Sequence, residues 1–261
     1  MQWAHHTGVA ERIAVIPPVR IASIIDGDAS VALSESGGLG APVDHFDVWF
    51  AEGAPRPAGC AQPGSDVVLR MRGGTTDDVT IQLQPSDDTV FDDRWRQPFA
   101  DGPFSFAVTS DWHGSRRDIS AVALSRRPGG EVSAAVRDGT DPARLLDHHQ
   151  RQFIVSCTPP GGAVMHRLTT LGPVRSTLWR IPAPRGGFGV TIERSQADDL
   201  DLLEVSTMLR PHSGEPAERF CQRAARRRQQ LFDALGYFRM SASADDSSAT
   251  ELILAALRQS P

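Results

Sequence analysis

The chain has 261 residues, of which 40% are hydrophobic, so it can form one large domain or two small ones around a buried core. All 27 basic residues are arginine, which excludes chemistry that needs a lysine, such as a Schiff base or a P-loop lysine. The net charge of -5 argues against generic nucleic-acid binding, and three widely spaced cysteines argue against a disulfide framework.

The terminal and apolar segments bear on localisation. No apolar run approaches the roughly 20 residues that a membrane-spanning helix needs. Residues 1–6 lack the basic and apolar segments of a signal peptide. We therefore predict a cytoplasmic protein that binds neither membranes nor nucleic acid, and the sequence does not determine its oligomeric state.

The first quarter of the chain alternates short extended segments with loops. Two β-branched runs, Arg12–Ile16 and Val19–Ile25, are split by a pair of prolines, which cannot donate hydrogen bonds in a sheet. Residues 34–42 are rich in Gly, Ser and Pro and predict a loop. The segment Asp44–Phe50 predicts a strand, and a Pro/Gly loop follows it at Ala51–Gly64.

The clearest pattern is a β-hairpin formed by Val67–Arg72 and Val79–Gln84, which flank a Gly-rich polar break. Side chains alternate between the two faces of a strand. One face is apolar and carries Leu69, Met71, Val79, Ile81 and Leu83. The other is polar and carries Arg70, Arg72, Thr80, Gln82 and Gln84. Two guanidinium groups on one face suit a phosphate or carboxylate ligand, although an ordinary solvated face is the alternative.

The rest of the chain predicts more strands than helices. Strands are predicted at Phe104–Ser110, Ile119–Leu124, Val132–Arg137, Val174–Ile181, Gly189–Arg194 and Leu202–Leu209. Helices are predicted at Asp141–Gln152, at Pro216–Leu235 and, after a Ser248–Glu251 capping box, at Leu252–Leu257. Because strands and helices do not alternate regularly, the pattern indicates an α+β fold with a mainly antiparallel sheet.

Three segments, in this order, resemble the CYTH group, or triphosphate tunnel metalloenzymes, which includes thiamine triphosphatases, inorganic triphosphatases and class IV adenylyl cyclases. They are His45–Val48, the hairpin pair Leu69–Arg72 and Val79–Gln82, and Val190–Glu193 leading to Leu202–Ser206. Two shorter segments also lie where relatives carry similar residues, Leu171–Val174 and Ala234–Gly236. The resemblance extends over about residues 40–236.

This resemblance implies an eight-stranded antiparallel closed β-barrel, a tunnel covered by a few helices, with helices at the C-terminal end. We expect one barrel domain over residues 1–240, followed by a linker and a short helix in 241–261. Arg70, Arg72, Thr80 and Gln82 would then face the tunnel, with the apolar face of the hairpin under the helices.

The sequence also departs from the family pattern. Residues 1–43 contain no match to the Glu-x-Glu-x-Lys strand whose glutamates hold metal in the family, and Gln82 stands in the place of a lysine. The closing Glu-x-Glu pair is reduced to Glu204-Val205-Ser206. Glu193 and Glu204 are therefore the candidate catalytic residues and the candidate ligands of Mg²⁺ or Mn²⁺.

The predicted function is binding of an anionic, phosphorylated or pyrophosphorylated small molecule and cleavage of its phosphoanhydride or phosphoester bond. Besides the two hairpin arginines, Arg175 and Arg180 are candidates to neutralise phosphate. They are an odd number of positions apart, so a regular strand does not point both inward. Two alternatives stay open: a metal-independent biosynthetic cyclase or lyase, and a non-catalytic ligand-binding module.

Overall fold

The computed structural model describes residues 16–35, 39–52, 66–84, 93–158, 168–182 and 188–259. In these residues the strands are β1 Val19–Ile24, β2 Asp44–Glu52, β3 Asp66–Gly73, β4 Asp77–Gln84, β5 Phe99–Asp101, β6 Phe104–His113, β7 Arg116–Arg127, β8 Thr169–Ile181, β9 Val190–Ala197 and β10 Leu200–Leu209. The α-helices are α1 Ala29–Glu35, α2 Glu131–Arg137, α3 His148–Cys157, α4 Ala217–Tyr237 and α5 Ala249–Leu257. The predicted strand at 12–16, apart from its last residue, and most of the predicted loop at 51–64 lie outside the described residues.

The strands form one sheet in the order β1–β10–β9–β8–β2–β3–β4–β7–β6–β5, and β1 pairs in addition with β6. This pairing closes nine of the strands into a barrel, with β5 attached to β6 outside the ring. The resemblance implied eight antiparallel strands, whereas this is a mixed barrel of nine within an α+β fold. An odd number of strands cannot alternate direction around a closed ring, so a parallel pair is required, and β1 and β6 supply one.

The chain divides into two compact units, each drawn from several stretches of sequence. Among the described residues, unit 1 takes in Val48–Thr109 and Ile119–Gly172. Unit 2 takes in Pro17–Asp47, Ser110–Asp118 and Pro173–Pro261.

The core of unit 1 confirms the apolar face of the predicted hairpin. Leu69, Met71, Val79, Ile81 and Leu83 are each at most 1% exposed. They belong to one apolar cluster with Trp95 and with Phe153 of α3. The α3 helix is also tied to the sheet by hydrogen bonds from the Gln150 amide to the carbonyls of Val79 (2.7 Å) and Ala123 (3.1 Å). One face of β3 and β4 is therefore fully used for packing.

The core of unit 2 lies under α4. The residues predicted at helical spacing, Phe220, Ala224, Leu231 and Leu235, are all buried. Two of them share an apolar cavity of about 220 Å³ with Ile192 of β9 and Val205 of β10. The α4 helix therefore covers the Ile192–Val205 face of these strands, and side chains of opposite parity lie on the interior face.

Within the described residues, no helix is both long and apolar enough to cross a bilayer.

Two helices differ from the sequence prediction. Residues 131–137 form α2 rather than a strand, because the Asp77 carboxylate accepts the Val132 N–H at 2.7 Å and satisfies a donor at the helix start. The predicted helix Asp141–Gln152 is a 3₁₀ turn at Pro142–Leu145 followed by α3 from His148. The α3 helix starts there because Asp147 and Gln150 form a capping box.

The remaining helices need smaller corrections. The α1 helix lies partly in the predicted loop 34–42 and was not expected. The α4 helix runs through Gly236 to Tyr237. The capping box between Ser248 and Glu251 at the start of α5 is confirmed.

Candidate functional site

The polar face of the β3–β4 hairpin lies opposite the apolar core of unit 1, on the interior side of the ring. Arg70 is directly paired with Thr80, Arg72 with Asp78, and Val68 with Gln82. The structure therefore brings together the four predicted binding residues of the hairpin on one interior face.

These polar groups have partners within the protein. The Arg72 guanidinium donates to the Asp78 carboxylate from Nε at 2.7 Å and also from Nη2. The Thr80 hydroxyl donates to the other Asp78 oxygen at 3.3 Å, and the Gln82 amide donates to the Ser120 hydroxyl at 3.1 Å. The hairpin face is thus held in a fixed geometry, and Asp78 offsets the guanidinium charge of Arg72.

Asp77 and Asp78 are neighbours with different roles, because they point to opposite faces of β4. Asp77 is fully buried and accepts the backbone N–H groups of Val132 (2.7 Å) and Gly74 (3.1 Å). Its role is to hold α2 against the hairpin, whereas Asp78 belongs to the interior polar face.

In unit 2, the two candidate glutamates lie side by side. Glu193 on β9 is directly opposite Glu204 on β10 in the antiparallel register. Arg180 is paired with Thr191 and lies on the same face of the sheet as Glu193, whereas Arg175 is paired with Gln196 and lies on the opposite face; both arginine side chains are exposed. Because β8 is regular over this stretch and the two arginines are five positions apart, only one of them can share a face with Glu193, and the phosphate-binding roles of both stay predictions.

Arg20 of β1 is a site residue that sequence reasoning missed. Its guanidinium forms an ion pair with Glu204, whose side chain is only 6% exposed. On its other side, β1 pairs with β6, and Arg20 lies directly beside Asp111. Burial lowers the pKa of Arg20, but the carboxylates of Glu204, Asp111 and Glu193 together raise it above its ordinary value. The available signal was a single charge inside the otherwise uncharged run Val19–Ile24.

A buried imidazole lies beside this group. His113 is 5% exposed, and its Nδ1 has no hydrogen-bond partner. Burial, and next the charge of Arg20, lower its pKa below the ordinary value of 6.5. Asp118 has a raised pKa because of burial, although Arg116 donates to it at 2.6 Å and opposes this rise. Burial therefore favours the neutral form of the His113 imidazole.

The divalent ion implied by the resemblance does not fit this donor set. Mg²⁺ needs oxygen ligands in near-octahedral geometry at about 2.0–2.1 Å. A Glu204 oxygen is occupied by Arg20, and nowhere in the described ranges do three Asp, Glu, His or Cys side chains converge as ligands.

Comparison with solved structures gives the Hippeastrum protein HpAC1, a suggested adenylyl cyclase described as having a dominant triphosphatase activity. The TM-score is 0.53 at 11% identity, over 91% of this chain and 95% of that one. This chain therefore has the CYTH fold. At this identity the likeness concerns the fold alone.

Two further solved structures match with lower TM-scores. A suggested adenylate cyclase of Bacillus halodurans matches with a TM-score of 0.47 at 10% identity, over 90% of this chain and 96% of that one. The PH1819 protein of Pyrococcus horikoshii matches with a TM-score of 0.42 at 12% identity, over 90% and 99%. No protein-family model and no curated protein matches the sequence.

Proposed function

We propose that the protein binds an anionic, phosphorylated or pyrophosphorylated small molecule inside the barrel and cleaves its phosphoanhydride or phosphoester bond. The observation that supports this most directly is the polar face of the hairpin, which carries Arg70, Arg72 and Thr80. The opposite face of the same strands is apolar and fully buried. The triphosphatase activity described for HpAC1, which shares the fold, points to the same ligand class.

The spacing of the two arginines suits a chain of phosphates. They are two residues apart on β3, so their backbone positions are about 7 Å apart along the strand. Guanidinium groups bind phosphate oxygens through paired N–H donors, each bond contributing about 1.5–3 kcal/mol. One arginine can therefore bind each end of a di- or triphosphate.

Cleavage follows the general chemistry of phosphoryl transfer. Water attacks phosphorus and gives up its proton to a phosphate oxygen, the bond to the bridging oxygen breaks, and negative charge develops on the departing oxygen. A fixed guanidinium beside that oxygen stabilises the charge without reorganisation. The Mg²⁺ or Mn²⁺ predicted from the resemblance is not part of this proposal, and the catalytic roles of Glu193 and Glu204 stay predictions.

Binding without turnover is the second candidate function. It is favoured by the commitment of Arg72, Thr80 and Gln82 to protein partners and of Glu204 to Arg20. A ligand held by such a preorganised face is oriented, but no carboxylate among these residues is left unengaged to activate water.

Calorimetric titration of tripolyphosphate, nucleoside triphosphates and prenyl diphosphates tests the proposal, together with a phosphate-release assay, each in EDTA and with Mg²⁺ or Mn²⁺. Arg70→Met is expected to weaken binding about 10- to 100-fold through loss of a charge-assisted bond. The matched control Arg175→Met removes an exposed arginine on the opposite face and should leave the affinity unchanged.

The outcomes separate the candidates. Release of phosphate supports the enzyme, whereas binding without release supports the second candidate. If none of the phosphorylated compounds binds, or if both substitutions weaken binding equally, the proposed site is wrong.

A further inference from the structure

The carboxylates on the interior face of unit 2 need a counter-cation. Glu193 and Glu204 are directly opposite each other on adjacent antiparallel strands. Side chains in this position have Cβ atoms about 4.5–5.5 Å apart, and like charges there are destabilising. Glu204 is almost fully buried, so water screens this repulsion poorly.

Arg20 occupies the place where that cation is required. It lies on β1, between β10 with Glu204 and β6 with Asp111, and it forms an ion pair with Glu204. Glu193, on the strand beyond β10, also acts on Arg20 electrostatically. Three carboxylates from three strands thus act on one guanidinium.

We propose that Arg20 is the built-in cation of this carboxylate cluster, in the role that a divalent metal ion would otherwise fill, and that no divalent ion binds there. A guanidinium stays protonated at every physiological pH and is covalently attached, so its charge cannot dissociate or exchange. The cluster is then insensitive to chelators. This proposal does not depend on the ligand or on catalysis.

A double-mutant cycle measured by urea unfolding tests the pairing. In the wild type, Glu204→Gln removes the partner of Arg20 and is expected to raise the unfolding equilibrium constant about 10- to 100-fold. In an Arg20→Met background, Glu204 is a buried charge without its cation, so the same substitution should lower that constant. If Glu204→Gln destabilises the protein equally in both backgrounds, the proposal is overturned.

Metal binding by the wild-type protein is the second measurement, and it remains decisive if Arg20→Met does not fold. Titration with Mn²⁺ is followed by the electron paramagnetic resonance signal of the free ion. No protein-dependent loss of signal is expected at the cluster. A stoichiometric Mn²⁺ site in the wild type that Glu204→Gln abolishes would refute the built-in cation.

A matched control separates this role from a general effect of arginine. Arg175→Met removes an exposed guanidinium from the opposite face of β8. It should change neither the effect of Glu204→Gln on stability nor the Mn²⁺ titration. If Arg175→Met changes the effect of Glu204→Gln on stability as much as Arg20→Met does, then net charge, not the position of Arg20, controls the cluster.

Discussion

Asp78 sets a trade-off between stability and anion affinity, which the substitution Asp78→Asn is expected to reveal. The Asp78 side chain is 3% exposed and accepts two hydrogen bonds from Arg72 and one from Thr80. Asparagine keeps an acceptor but removes the negative charge from a face that we propose binds phosphate. The protein should therefore lose stability and gain affinity.

Both magnitudes follow from the burial of the pair. Removing one partner of a fully buried ion pair costs about 3–5 kcal/mol. The Arg72 side chain is 31% exposed, so water compensates part of the loss, and we expect about 1.5–3 kcal/mol in the free energy of unfolding. The released guanidinium can form one more charge-assisted bond, which should tighten tripolyphosphate binding about tenfold or more.

Urea unfolding and calorimetric titration of tripolyphosphate measure the two effects on the same variant. Asp77→Asn is the matched control, because Asp77 is an equally buried neighbour on the opposite face that accepts two backbone N–H groups. It should lower stability without changing affinity. If Asp78→Asn leaves the affinity within about twofold of the wild type, or weakens it, Arg72 does not take part in binding.

Three further substitutions test other parts of the structure. The wild type should lose stability as the pH falls from about 7 to 5, because His113 takes up a proton near pKa 6.5 in the unfolded chain, whereas burial keeps its pKa lower in the folded protein. His113→Gln should flatten this dependence of the unfolding free energy on pH, measured by urea unfolding at a series of pH values. An unchanged slope would contradict the assignment. Gly114→Ala should cost clearly more in thermal unfolding than Gly102→Ala. Both glycines have positive φ (50° and 58°), but only at Gly114 would an added Cβ clash with a neighbour, the Asp246 carboxylate. Equal losses for the two variants would argue against this contact. Ser248→Ala removes the N-cap of α5 and should lower the free energy of unfolding by about 1 kcal/mol in urea unfolding. An unchanged free energy of unfolding would mean that this helix end adds nothing to stability.

The hairpin was predictable because several local signals agree. The period-two alternation, the Gly-rich break and the apolar content of one face all specify the same register, and the structure has that register over Val67–Arg72 and Val79–Gln84. The placement of Arg70, Arg72, Thr80 and Gln82 on one face follows directly from this alternation. What their side chains contact does not, because Ser120 is 38 residues away from Gln82.

The α2 helix shows where a local pattern fails. Its seven residues include Val132 and Val136, which are β-branched and favour a strand. The N–H of Val132 is satisfied by Asp77, a residue 55 positions earlier that is brought there by the hairpin. Tertiary contacts therefore override propensity at this segment, and no local window of sequence contains the necessary information.

Arg20 was missed for a related reason that follows from the number of strands. In a ring of nine, one neighbouring pair must be parallel, and the pairing of β1 with β6 meets this need. That pairing puts Asp111 directly beside Arg20, while on the β10 side the Arg20 guanidinium reaches along the strand to Glu204, four positions from its own register partner Met208. An all-antiparallel ring of eight strands needs no such parallel neighbour. The position of Arg20 between the carboxylates of β6 and β10 is thus a consequence of how this barrel closes.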